Sequence, residues 1–89
     1  MTKAQCVDEM NARLRIALKS YHALPGMTQE KVAEALQIAP RSCSALENGE
    51  HGFSIFTAFG LLSNLPAEER RGLIADLCGI AARALRRAA

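Results

Sequence analysis

A chain of 89 residues with 49% hydrophobic but only 4% aromatic content reads as one Ala- and Leu-rich helical domain with a small core, a size at which association often supplies missing burial. No apolar run is long enough to span a bilayer, and Met1 to Met10 carries charge but no apolar segment of the signal-peptide kind; Cys6, Cys43 and Cys78 stand far apart with no CxxC spacing, so neither a zinc site nor a disulfide framework is expected. The net charge of +2 is low for a nucleic-acid binder, which makes the placement of charges matter more than their sum. A cytoplasmic protein with reduced thiols is the expectation.

In chain order, Val7, Met10, Leu14, Leu18 and Tyr21 recur at spacings of three and four, with Asp8, Glu9, Arg13, Arg15 and Lys19 between them. The spacing predicts a long amphipathic first helix, which Leu24-Pro25-Gly26 brings to a firm end. Val7 and Met10 are expected to pack on the last helix or on a partner subunit. Thr28 is a candidate N-cap, followed by Gln29 and Glu30 in the first turn and by Val32, Ala33 and Leu36 at helical spacing. After a break at Gln37, Ile38 and Ala39, Pro40 suits the first position of a third helix whose Cys43 and Leu46 face inward. Two short helices joined by so short a turn form a helix-turn-helix, with small Ala33 allowing the second to cross closely over the first.

The outer face of the third helix then carries Pro40, Arg41, Ser44 and Ala45, with Ser42 at its flank. Arg41 is its one long side chain, able to offer a bidentate fork to guanine O6 and N7 in the major groove or, alternatively, to meet a phosphate. Gln29, with the backbone N–H groups beside it, suits a phosphate or the bracing of a reader, and Lys31 adds a charge that is solvated in the plainer reading. Cys43 is read as a small buried hydrophobe rather than a redox sensor.

Ser54 is a candidate N-cap for a segment running to Leu65, with Ile55, Phe59 and Leu62 as its inward stripe and Phe56 on another face as a candidate interface residue. Phe53, Phe56 and Phe59 also raise the idea of a stacking platform for single-stranded bases; core packing and subunit contact explain them more simply. Pro66 opens a last helix of about 66–87, with Glu68 and Glu69 in its first turn and Arg83, Arg86 and Arg87 in its last, as the macrodipole favours. Its apolar face holds Leu73, Ile74, Leu77, Cys78, Ile80, Ala81, Ala84 and Leu85 over a length of roughly 30 Å. Part of that face is expected to meet another chain, so the candidate dimer interface comprises Phe56, Leu73, Ile74, Leu77, Ile80, Ala81, Ala84 and Leu85.

The run Thr28 to Gly49, TQEKVAEALQIAPRSCSALENG, resembles the lambda-repressor-like family of Cro/CI-type helix-turn-helix proteins at Thr28, Gln29, Val32, Ala33, Leu36, Ile38, Ser44, Leu46, Glu47, Asn48 and Gly49. The likeness extends more loosely from Arg15 to Leu65. Gln37 departs from the usual Gly of the turn, Ala39 from the usual Ser/Thr cap, and Ala45 from a long polar reader. The resemblance implies an all-α, five-helix DNA-binding domain over 1–89, with its helix-turn-helix core at 28–49 and extended first and last helices. It implies that Asn48 and the loop after it clamp a phosphate, which completes a positioning set of Thr28, Gln29, Lys31, Ser42 and Asn48. His22 stands where many members carry an Arg that pairs with the Glu of Glu-Asn-Gly, here Glu47. A His22–Glu47 pair and a merely exposed His22 both stay open. The function so implied is a small transcriptional regulator, a repressor that binds an inverted repeat in double-stranded DNA as a homodimer. An antitoxin, whose main partner is a protein such as a toxin, is the alternative on the same fold. No Ser/His/Asp set, carboxylate pair or metal-ligand spacing is present, so neither catalysis nor a cofactor or metal is expected.

Overall fold

Thr2 starts the first helix: its hydroxyl accepts the Gln5 N–H at 3.1 Å, and the Gln5 side chain returns to the Thr2 N–H at 2.8 Å, so two orphan donors are satisfied reciprocally. The computed structural model describes the backbone of residues 1–88 and side chains as far as Arg86. Among these residues the chain forms α1 (Lys3–His22), α2 (Gln29–Leu36), α3 (Pro40–Glu47), α4 (Ile55–Asn64) and α5 (Ala67–Ala88), with no strand. The side chain of Arg87, placed by sequence in the last turn of α5, lies outside the described residues.

One core gathers all five helices: Leu14 and Leu18 of α1, Val32, Ala33 and Leu36 of α2, Cys43 and Leu46 of α3, Leu61 and Leu62 of α4, Leu65, and Leu73 of α5. The residue after α2, Gln37, takes the left-handed conformation at φ 56°, where its N–H reaches back to the carbonyls of α2. A side chain there is strained and glycine is not. Gln37→Gly is therefore expected to stabilise the domain by about 0.5–1 kcal/mol, read as a rise of roughly 4 °C in the thermal midpoint.

α5 runs back along α1. Arg13 pairs with Asp76, Arg83 with Glu9 at 2.6 Å, and the Cys6 thiol lies 3.9 Å from the Ile80 carbonyl, so the two long helices are antiparallel. That packing corrects the expectation for two interface residues: Leu73 and Ile80 are buried within their own chain. Leu77 packs half-buried against the core. Ala81 and Ala84 are partly covered, and Ile74 and Leu85 stay exposed. The α5 stripe is wide enough for two surfaces, and its inner edge is taken by the long α1.

α4 is turned differently from the expected Ile55–Phe59–Leu62 stripe. Thr57, Leu61 and Leu62 are buried, whereas Ile55 is 80% and Phe59 63% exposed. Apolar residues surround this helix on all sides, so periodicity alone does not choose its inner face. The neighbouring helix supplies the choice: Leu61 and Leu62 join the core that Val32 and Leu36 of α2 belong to, and a Cβ on Gly60 would lie 3.6 Å from the Leu36 side chain. Ser54 fixes the start, accepting the Thr57 N–H at 3.1 Å. Arg70 closes the other end, donating to the carbonyls of Leu62 at 2.9 Å and Leu65 at 3.0 Å. Arg70 thus serves as a cap for α4.

Candidate nucleic-acid interface

Thr28 accepts the Lys31 N–H at 3.2 Å and caps α2. The N–H groups of Gln29 and Glu30 stand ahead of the intrahelical ladder at an end that favours negative charge. The Lys31 ammonium turns back to donate to the Gly26 carbonyl at 3.0 Å, a contact that holds it beside this same helix end. In α3, Ala39 offers no side-chain cap, and Pro40 follows at the first helical position, where a missing N–H costs nothing. Cys43 and Leu46 are buried, Pro40 and Arg41 exposed, and Ser42, Ser44 and Ala45 half-buried. The outward face is the one the periodicity indicated. Among the described residues the Arg41 guanidinium has no hydrogen bond or ion pair, so its planar fork is uncommitted.

The end of α3 is held from α1. Gly49 and Glu50 donate to the carbonyls of Leu46 and Ala45, which ends the helix with Gly49 at φ 74°. Arg15 donates to the Leu46 carbonyl at 3.3 Å, and a Cβ on Gly49 would lie 3.1 Å from its guanidinium. The positive φ favours glycine here, and a larger residue would also have to displace the Arg15 guanidinium slightly. Further along, the Asn11 side chain accepts the Phe53 N–H at 2.8 Å. Asn48, at the head of this loop, is exposed, its amide 3.5 Å from the Ser44 hydroxyl. Asn11 and Arg15 were not picked out by sequence as loop anchors; their one trace is a polar pair spaced i, i+4 beside the apolar stripe.

Glu47 joins three helices. His22 Nδ1 of α1 lies 2.8 Å from Oε1 and 3.1 Å from Oε2 of its carboxylate. The Gln29 amide of α2 donates at 3.5 Å, and the Cys43 thiol lies 3.8 Å away. The two residues that family position would pair are thus in contact, and the carboxylate's side chain is only 14% exposed. Burial, and then the Glu47 carboxylate beside it, pushes the Cys43 thiol up to about 11 from 9.0. The folded state therefore holds this proton more tightly than the unfolded chain. Its contribution to stability is complete below pH 9.0 and is lost as pH rises through about 11. Denaturant titrations of wild type and Cys43→Ala at several pH values should diverge in slope across that window, the variant falling less steeply. Iodoacetamide at neutral pH should label exposed Cys78 and spare Cys43 until the chain unfolds.

These parts make up a scaffold in which one short helix is crossed by another and presents an uncovered polar face, with a helix end on one side and a glycine-ended loop on the other. That is the geometry of a DNA-binding helix-turn-helix. The helix-turn-helix family model, of the XRE type that includes lambda repressor and Cro, matches residues 18–69. The chain belongs to this family and is a DNA-binding regulator of XRE type. No curated protein and no solved structure matches it. Among the described residues no helix is long and apolar enough to cross a membrane.

Proposed function

We propose that the protein is a cytoplasmic transcriptional repressor that binds an inverted-repeat operator in double-stranded DNA as a homodimer and blocks access to a promoter. The observation that carries this reading is the uncommitted Arg41 fork on the exposed face of α3, flanked by the first turn of α2 and by Asn48. In it, Arg41 reads a base edge, with Pro40, Ser44 and Ala45 in contact range of neighbouring bases. Thr28, Gln29, Lys31, Ser42 and Asn48 set register on the phosphates. One long reader per subunit distinguishes few base pairs, so specificity needs two subunits with recognition helices roughly 34 Å apart on one DNA face. Catalysis, a metal and a cofactor play no part in this reading.

Selection of bound duplexes from a random pool tests it. The expected result is an inverted repeat with half-sites about one helical turn apart. A pool that stays random, while the protein still binds duplex weakly and with steep salt dependence, would overturn sequence-specific repression. The antitoxin alternative draws on one observation, the exposed Ile55, Phe56 and Phe59 of α4, which offer a protein partner an apolar surface.

A further inference from the structure

Val7, Ile55, Phe59 and Leu85, all exposed, line a strip of two apolar grooves that meet at Val7. A groove of about 310 Å³ runs between α1, α4 and α5, walled by Val7, Met10, Phe53, Ile55, Phe59 and Leu77, with no charged residue in its lining. Val7 also belongs to a second groove of about 630 Å³ that continues to Ala81, Ala84 and Leu85, with Met1 and Lys3 beside it. The opposite seam between α1 and α5 is different in kind, filled by Glu9, Arg13, Asp76, Arg83 and Arg86. The two long helices therefore present one ionic edge and one apolar edge.

We propose that the apolar edge is covered by a second copy of this chain, with Ile55 and Phe59 of each copy seated against the groove of the other between Val7, Met10 and Leu77. The proposal rests on the dimeric reading above and gives that dimer a different seam from the α5 stripe. Area favours it. Phe59, Ile55, Val7 and Leu85 are 63%, 80%, 46% and 69% exposed, which for side chains of this size leaves roughly 400–500 Å² of apolar surface in the strip. A monomer's largest apolar patch is about 300–600 Å², and a standard interface takes about 800 Å² from each partner. The strip lies within the first range and supplies about half of the second. Shape favours it too, because a surface that meets itself across a two-fold axis must carry both protrusion and recess. Here Ile55 and Phe59 rise from α4 as the rim of the recess they would fill in the partner. The seam also begins where the 48–54 loop delivers α4, so it is coupled to the end of the recognition helix.

Sedimentation equilibrium on the full chain without DNA tests the seam separately from operator binding. Wild type is expected to be dimeric at tens of micromolar. Phe59→Glu and Val7→Glu, placed on opposite walls of the groove, should each raise the dissociation constant about 100-fold; circular dichroism checks that they remain helical, and either variant suffices if the other fails to fold. Ile16→Glu changes an exposed isoleucine elsewhere on α1 and should leave the dimer intact. A wild type that is monomeric at 100 µM would overturn the proposal, since the strip would then belong to another partner. So would a dimer indifferent to both groove variants, or one that Ile16→Glu dissociates equally. A dimer broken by Phe59→Glu in a protein that enriches no DNA sequence upholds the seam and sinks the repressor reading instead.

Discussion

Leu36→Ala is expected to destabilise the domain by about 3–4 kcal/mol, a large part of the roughly 4–13 kcal/mol available to a chain of this length. Leu36 is 1% exposed and closes α2 immediately before left-handed Gln37. Its side chain lies against α4 beside Gly60. Neither helix is free to collapse into the vacated space. α2 is capped at Thr28 and tied through Gln29 to Glu47, while α4 is capped at both ends by Ser54 and Arg70. A cavity should therefore persist, which keeps the cost above the low end of the leucine-to-alanine range. Urea denaturation reads it as a fall of about 3 M in the midpoint, for a slope near 1 kcal/mol per molar. A loss below about 1 kcal/mol would mean that α4 does not lie on α2 as described.

The second large effect concerns reading. Arg41→Ala should remove about 1–3 kcal/mol of discrimination at one base pair in each half-site, that is, roughly 5- to 150-fold. The folded protein should not notice the change, because Arg41 is exposed and has no intramolecular partner among the described residues. Asn48→Ala, by contrast, should weaken all sequences about equally and leave the salt slope almost unchanged, since asparagine carries no charge. Competition titrations with every base of the selected operator substituted in turn separate the two. If Arg41→Ala keeps the wild-type preference and loses about one unit of salt slope, Arg41 holds a phosphate and the reader is elsewhere.

The first three helices were legible in the sequence because local chemistry marks their ends. Thr28 caps, Pro25 and Gly26 interrupt, and Pro40 opens; Gln37, standing where the family usually has Gly, is the one left-handed non-glycine residue among those described. The outward face of α3 followed from the period of Cys43 and Leu46. α4 was misread because Ile55, Phe56, Ala58, Phe59, Leu61 and Leu62 make two equally plausible apolar faces, and the choice between them is made by α2, more than twenty residues upstream. In α5 the stripe was seen correctly, but its division into inner and outer edges depends on where α1 lies. Arg15, Asn11 and Arg70 leave even less trace. Each acts on a backbone carbonyl or N–H distant in sequence or in the next helix, and a polar residue with that duty looks like any solvated one.

The anchors on α1 have a mechanical consequence. Val7, Asn11 and Arg15 stand on successive turns of one helix, so the groove wall, the tie to the loop after α3 and the tie to the end of α3 share a stiff rod only roughly 12 Å long. Nothing between them is a hinge: the span has no glycine or proline, and Asn11 and Arg15 are both bonded to the chain that follows α1. Whatever is seated against Val7 is thereby held at a nearly fixed offset from Asn48 and α3. In the homodimer proposed above, half-sites slightly too close or too far apart would find the duplex the more compliant partner. The mismatch would then be taken up as twist and bend in the uncontacted base pairs between the half-sites, and the composition of that central spacer would become part of what is recognised.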